Sequence, residues 1–113
     1  MKRLTAALLL WLGISACVQA AEPITLGLNY PRTGSYKEEG LAQMRGALLA
    51  IDELNARGGV LGRPLRLASY DSGSSIDKAL RNVDRLAQEG AAMLFGGASS
   101  AIAIAAGKRA REH

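Results

Sequence analysis

The chain has 113 residues, of which 49% are apolar, 21% charged and 4% aromatic. This balance excludes a highly charged disordered tail, a collagen and a disulfide scaffold, and the length permits one globular domain at most. Fourteen Lys and Arg against ten Asp and Glu give a net charge of +4. So small an excess, in a chain with few aromatic side chains for base stacking, argues against nucleic acid as a partner.

The first twenty residues are predicted to be a signal peptide. Met1-Lys2-Arg3 is cationic, and residues 4–18 carry no charge. Those fifteen residues fall short of the roughly 20 that a membrane-spanning helix needs. The small residues in Val18-Gln19-Ala20 suit signal peptidase, and cleavage before Ala21 would release residues 21–113, which contain no cysteine.

A lipid anchor is the alternative to a freely diffusing exported form. Ile14-Ser15-Ala16-Cys17 places a branched apolar residue and two small residues before a cysteine, which resembles a lipoprotein processing box. Cys17 would then carry the lipid. A lone cysteine in an apolar leader also behaves as a small hydrophobic residue, so both forms stay open at this point.

After the leader, short β-like runs alternate with amphipathic helices in the order βαβαβα. Neither a linker nor a low-complexity segment interrupts them. The predicted strands are 24–29, 65–70 and 91–95, and the predicted helices are 37–57, the segment between the turn 71–74 and Gly90, and 101–112.

Local patterns predict how these elements begin, end and pack. Gly58-Gly59 is expected to close the first helix, because glycine adopts the left-handed conformation of a helix C-terminus without a Cβ clash. Ser74 and Asp77 resemble a capping box for the second helix. The uninterrupted apolar run 91–95 is typical of a strand covered on both faces. The buried face of the second helix is predicted to comprise Ile76, Ala79, Leu80, Val83, Leu86 and Ala87.

This order of elements predicts a three-layer, doubly wound α/β fold whose parallel strands lie in the order 2-1-3. The order in which strands are added to the sheet reverses between the first and third strands, and a crevice opens at that point. Residues 31–36 are therefore expected to lie beside residues 96–100 at the carboxyl edge of the sheet, where such sheets bind ligands.

The residues in these two loops suit a small anion. Gly96 and Gly97 permit close approach of the backbone, Ser99 and Ser100 supply hydroxyls, and the start of the third helix offers unpaired amides with a partial positive charge. Tyr36 could pack on a carboxylate-bearing ligand or donate a hydrogen bond to it. The local pattern alone equally describes a serine cap after a glycine turn.

Four segments carry a family resemblance: NYPRTG at 29–34, GALLAI at 46–51, NARGGVLG at 55–62 and YDS at 70–72. Together with the leader they resemble the branched-chain amino acid binding proteins of ABC importers, over the whole exported portion. The resemblance implies a type I periplasmic binding protein, in which two α/β lobes close around an amino acid, an amide or a similar small molecule and deliver it to a membrane permease. It also implies a periplasmic location, a monomer when full length, and no cofactor.

By this resemblance, Ser100 matches the serine that engages the ligand's carboxylate, Ser99 is its neighbour, and Tyr36 matches an aromatic position that lines the cleft. Residues 21–113 would then form the N-terminal part of the first lobe of a longer, truncated protein. A sensory ligand-binding domain of the same fold is the alternative function.

An enzymatic function is not expected. His113 is the only histidine, and the sequence has neither a Gly-x-Ser-x-Gly elbow nor a Gly-x-x-x-x-Gly-Lys phosphate loop. Asp71, Asp77 and Asp84 are interpreted as a turn residue, a cap and a solvated helix residue rather than as metal ligands. A flavodoxin-like or response-regulator enzyme shares the strand order, but the leader and the lack of an acidic cluster after the first strand disfavour it.

Overall fold

The computed structural model describes residues 20–113. The predicted leader and the lipidation candidate Cys17 therefore lie outside the described residues, apart from Ala20. Three strands and three helices alternate, as predicted: β1 (Ile24–Tyr30), α1 (Lys37–Ala56), β2 (Leu65–Asp71), α2 (Ile76–Gln88), β3 (Met93–Gly96) and α3 (Ser100–Ala110).

The three strands form a parallel sheet in the order β2-β1-β3, which confirms the predicted topology. β1 is central. Along one side it pairs with β2 from Ile24 opposite Leu65 to Tyr30 opposite Asp71, and along the other it pairs with β3. The carboxyl ends of all three strands consequently lie at one edge of the sheet.

Helices cover both faces of the sheet, which gives three layers. The Asn29 side chain donates a hydrogen bond to an α2 carbonyl, and a Cβ on Gly27 would meet Leu86 of α2, so these alternate β1 residues face α2. Leu28 and Tyr30 point to the opposite face, where α1 packs. Leu28 of β1 and Ala79 and Leu86 of α2 are each 0% exposed, so both β1 and α2 contribute to the core.

Two helices end in the same backbone arrangement. After α1, the N–H of Gly58 donates to the Asn55 carbonyl and the N–H of Gly59 donates to the Leu54 carbonyl, while both glycines have positive φ. Gly90 and Ala91 repeat this pattern after α2. This is the Schellman motif, and it confirms the glycine stop signals.

Three local predictions are wrong. Ser75, not Ser74, is the N-cap of α2, and it makes no side-chain capping hydrogen bond, so the capping box of Ser74 and Asp77 does not form. Ile76 is 43% exposed and is not part of the buried face, because it lies at the first turn, beyond the sheet. β3 begins at Met93 rather than Ala91, and Met93 is 54% exposed, so this strand, at the edge of the described sheet, is not covered on both faces.

Within residues 20–113, none of the helices has the length and apolarity needed to span a bilayer.

Candidate functional site

The loops after β1 and β3 leave neighbouring strands at the same edge of the sheet. Asn29 near the end of β1 pairs with Gly96 at the end of β3. The loop 31–36 and the loop 97–99 therefore start side by side, although more than sixty positions separate them in the chain. The structure thus brings the two predicted loops to the expected edge.

Each of the four predicted site residues lies at this edge. Tyr36 is the N-cap residue of α1 and is 38% exposed. Gly97 follows β3 with φ +90°. Ser99 is the N-cap residue of α3, and its side chain makes no capping hydrogen bond. Ser100 is exposed and is the first residue of α3. The alternative of a serine cap is therefore correct in that Ser99 occupies the N-cap position, but its hydroxyl makes no capping hydrogen bond.

The start of α3 presents a partial positive charge to this edge. The first four N–H groups of a helix have no partner within the helix, and they carry about half of a positive charge. Lys108 and Arg109 lie in the last turn of α3, where their charges complement the other end of the dipole. The arrangement suits a carboxylate placed against residues 98–100.

The close approach of the strands at this edge requires glycine. At Gly96 the backbone has φ +116°, and a Cβ would overlap the carbonyl oxygen of Asn29. Gly40 in α1 has the same role on the first loop, since its Cβ would overlap the carbonyl oxygen of Pro31. α1 is therefore pressed directly against the loop that carries Tyr36.

Asp71, at the end of β2, holds the loop after β1. Its Oδ1 accepts hydrogen bonds from the backbone N–H groups of Arg32 (2.8 Å), Thr33 (3.2 Å) and Gly73 (2.8 Å), and its Oδ2 accepts one from the Thr33 hydroxyl (2.7 Å). Burial by itself would raise the pKa of Asp71, but these four hydrogen bonds outweigh it and lower the pKa to about 2. Asp71 is thus ionised at neutral pH.

Ser74 is the second residue that holds the loop after β1 by hydrogen bonds. Its Oγ accepts a hydrogen bond from the Tyr36 N–H (3.0 Å) and donates one to the Thr33 carbonyl (2.9 Å). Ser74 has φ +57°, a conformation uncommon for a residue with a Cβ. We call Asp71 and Ser74 the β2 clamp. The sequence indicated only a turn and a cap at these positions, and nothing local pointed to partners about forty residues earlier.

Gln43 links α1 to the other loop. Its Nε2 donates a hydrogen bond to the Gly97 carbonyl at 3.4 Å, across fifty-four positions of sequence. Sequence reasoning missed this contact as well, because Gln43 is one polar residue among many on a helix.

A buried asparagine network supports the edge from below. Asn29 donates from Nδ2 to the Ala79 carbonyl (2.8 Å), and its Oδ1 accepts from Nδ2 of Asn82 (3.0 Å). Nδ2 of Asn82 also donates to the Asp71 carbonyl (3.1 Å). β1, β2 and α2 are therefore tied together directly beneath the loops.

A cavity of about 120 Å³ lies between β3, α2 and α3. Gly96 and Gly97 contribute to its wall, but most of its lining is apolar and includes Leu94, Phe95 and Ile102. Tyr36, Ser99 and Ser100 are not among the residues that line it. Of the four predicted site residues, only Gly97 therefore borders this cavity.

In doubly wound α/β sheets, ligands bind outside the carboxyl ends of the strands, at the point where the strand order reverses. A family model described as "Periplasmic binding protein" matches residues 23–113. The chain belongs to the periplasmic binding protein family.

Named relatives agree with the resemblance seen in the sequence. The chain is 31% identical over 104 residues to the Leu/Ile/Val-binding protein BraC3 of Rhizobium johnstonii, covering 92% of this chain and 28% of the relative. It is 31% identical over 84 residues to the leucine-, isoleucine-, valine-, threonine- and alanine-binding protein of Pseudomonas aeruginosa, covering 74% and 22%. The chain thus spans about a quarter of the length of these relatives.

A solved structure shows the same fold. The branched-chain amino acid transporter substrate binding protein LivJ of Streptococcus pneumoniae, in complex with isoleucine, superimposes with a TM-score of 0.77 at 32% identity. The match covers 80% of this chain and 26% of LivJ. The described residues therefore have the fold of part of a type I periplasmic binding protein, as the sequence predicted.

Proposed function

We propose that this chain belongs to the solute-binding component of an ABC importer, which holds an amino acid or a related small molecule between two lobes and delivers it to a membrane permease. Residues 21–113 form part of the first lobe in this proposal. They follow a signal peptide over residues 1–20, and the protein is periplasmic, with lipid anchorage through Cys17 as the alternative. The protein binds its ligand without changing it chemically.

The observation that carries the proposal is the position of the α3 start beside the loop after β1. Backbone amides at 98–100 and the hydroxyls of Ser99 and Ser100 are donors for a carboxylate. Gly97 lets the ligand approach the backbone, and Tyr36, partly exposed on the neighbouring loop, offers an aromatic surface for the rest of the molecule. The two relatives, a Leu/Ile/Val-binding protein and a leucine-, isoleucine-, valine-, threonine- and alanine-binding protein, support a ligand of this size and charge.

Ligand-dependent thermal stabilisation of the full-length protein without its leader tests the proposal. A ligand at about 100 times its Kd stabilises the folded state by about 2.7 kcal/mol, which raises Tm measurably. Amino acids, their amides and aromatic acids form the panel, and we expect the largest shift from an aliphatic amino acid. No shift from any carboxylate in the panel would contradict the proposal.

Ser100→Ala tests the carboxylate site itself. A hydrogen bond to a charged group contributes about 1.5–3 kcal/mol, so we expect Kd to rise between about tenfold and a hundredfold in isothermal titration calorimetry. Ser75→Ala is the matched control. Ser75, like Ser100, lies at the start of a helix, but it is the N-cap residue of α2, which begins after β2 on the far side of β1. Equal affinities of the two variants would remove Ser100 from the site.

A further inference from the structure

Gln43 of α1 makes a side-chain contact with the loop after β3, outside its own helix. The side chain is half-buried, and its Nε2 reaches the Gly97 carbonyl at 3.4 Å. Gly97 is followed by Ala98, Ser99 and Ser100, the proposed anion-binding segment. The contact therefore joins a helix that follows β1 to the loop that follows β3.

The other end of the Gln43 amide is unsatisfied. Its Oε1 is buried and has no hydrogen-bond partner among residues 20–113. Exchanging the oxygen and the nitrogen would place Oε1 opposite the Gly97 carbonyl, so that two acceptors would face each other. The NH₂ group would then be buried and would no longer reach the Gly97 carbonyl. A buried amide that is only half-satisfied stabilises a fold less than an apolar side chain of the same shape.

The hydrogen bond from Gln43 holds a peptide whose orientation the loop itself does not fix. Gly97 has φ +90° and no Cβ, so its own sterics do not fix the peptide that follows it. That peptide is planar, and its two ends are the Gly97 carbonyl and the Ala98 N–H. Holding the carbonyl toward α1 therefore directs the Ala98 N–H away from α1, and a flip of the peptide would exchange the two.

We infer that Gln43 is a positioning residue for the carboxylate of the ligand. It rests on the proposed function: Gln43 fixes the orientation of the Gly97–Ala98 peptide so that an N–H, and not a carbonyl oxygen, faces the bound anion. Gln43 itself does not contact the ligand. The recognised class is molecules with a free carboxylate, because a peptide that presents a carbonyl would repel a carboxylate, whereas a neutral amide could turn its NH₂ group toward that carbonyl.

Two variants of the full-length protein separate this role from a structural one. Gln43→Met keeps the unbranched shape and removes the unsatisfied Oε1, so we expect Tm without ligand to stay the same or rise. We expect Kd for L-isoleucine to rise about tenfold, the loss of one hydrogen bond. Gln43→Glu keeps the oxygen and the shape but removes the donor, and we expect it to lose at least as much affinity. Gln88→Met, the same change at an exposed position near the end of α2, is the control and should leave Kd unchanged.

A second ligand identifies the group on which Gln43 acts. L-isoleucinamide has the same side chain and ammonium group, but its neutral amide can pair with either an N–H or a carbonyl, so its affinity should change far less than that of L-isoleucine in Gln43→Met. Equal losses for both ligands, wild-type affinity in Gln43→Glu, or a fall in Tm that parallels the fall in affinity would each overturn the inference. A wild-type protein that binds neither ligand nor any other amino acid would refute the proposed function, and the inference with it.

Discussion

We expect the β2 clamp to make the fold less stable at acid pH than at neutral pH, and one substitution should remove the clamp's part of this pH dependence. Asp71→Asn is the perturbation. The wild-type carboxylate accepts hydrogen bonds from the N–H groups of Arg32, Thr33 and Gly73 and from the Thr33 hydroxyl. An asparagine keeps one acceptor oxygen but replaces the other with an NH₂ group, which is neutral and a donor.

The magnitude follows from the pKa. Burial raises the pKa of Asp71, the four hydrogen bonds lower it by more, and the result is about 2 instead of the ordinary 3.8. Each pKa unit corresponds to about 1.4 kcal/mol, so the lowered pKa corresponds to at most about 2.5 kcal/mol, which solvent screening of this partly exposed carboxylate reduces to about 2 kcal/mol. Because the folded-state pKa lies below the unfolded-state value, this contribution is fully present above about pH 4 and is lost as the pH falls toward 2.

Urea unfolding of the full-length protein at about pH 7, 4 and 2 measures this contribution. Asp71→Asn should unfold with about 2 kcal/mol less free energy than the wild type near pH 7, and the difference should shrink toward zero near pH 2. Asp52→Asn, the same change at an exposed position of α1, is the control and should show little difference at either pH. A wild-type advantage over Asp71→Asn that stays constant from pH 7 to pH 2 would refute this account of the clamp.

Two further predictions concern the connection between α1 and β2. Leu61 is 93% exposed and has φ +53°, a conformation that costs a residue with a Cβ about 1 kcal/mol and that asparagine tolerates better. Leu61→Asn should therefore raise the urea midpoint of unfolding without changing the slope of the transition. A lower midpoint would contradict this. Asn55 binds both backbone groups of Leu65, accepting from its N–H at 2.7 Å and donating to its carbonyl at 2.9 Å. Asn55→Ala should therefore destabilise the protein by about 2 kcal/mol in the same assay, and an unchanged midpoint would show that water replaces the lost bonds.

The sequence was sufficient to predict the framework because the relevant patterns are local. A mostly apolar run with two β-branched residues marks β1, and Gly58 and Gly90 mark the ends of α1 and α2 through their left-handed conformation. The rule for parallel crossovers then converts the element order into the strand order 2-1-3, which the structure confirms. The edge at which residues 31–36 and 96–100 meet follows from the strand order alone.

The side chains that hold this edge together could not be predicted in the same way. Ser74 has the spacing of a capping box, but its hydroxyl bonds to Thr33 and Tyr36, which are about forty residues away. Tertiary contacts of this kind leave no periodicity in the sequence. The pattern 91–95 was misleading for a related reason, since an apolar run does not reveal which strand lies at an edge of the described sheet.

The central position of β1 places the loop that follows it between two other loops. The loop 31–36 has the loop after β2 on one side and the loop after β3 on the other. The β2 clamp, Asp71 and Ser74, occupies the first side with hydrogen bonds to Arg32, Thr33 and Tyr36. In the proposed function the ligand lies on the side toward β3, where Gln43 of α1 contacts the opposing loop at Gly97. Weakening the clamp should therefore reduce affinity for every ligand that contacts the Tyr36 loop, whereas weakening the Gln43 contact should reduce affinity chiefly for ligands with a carboxylate.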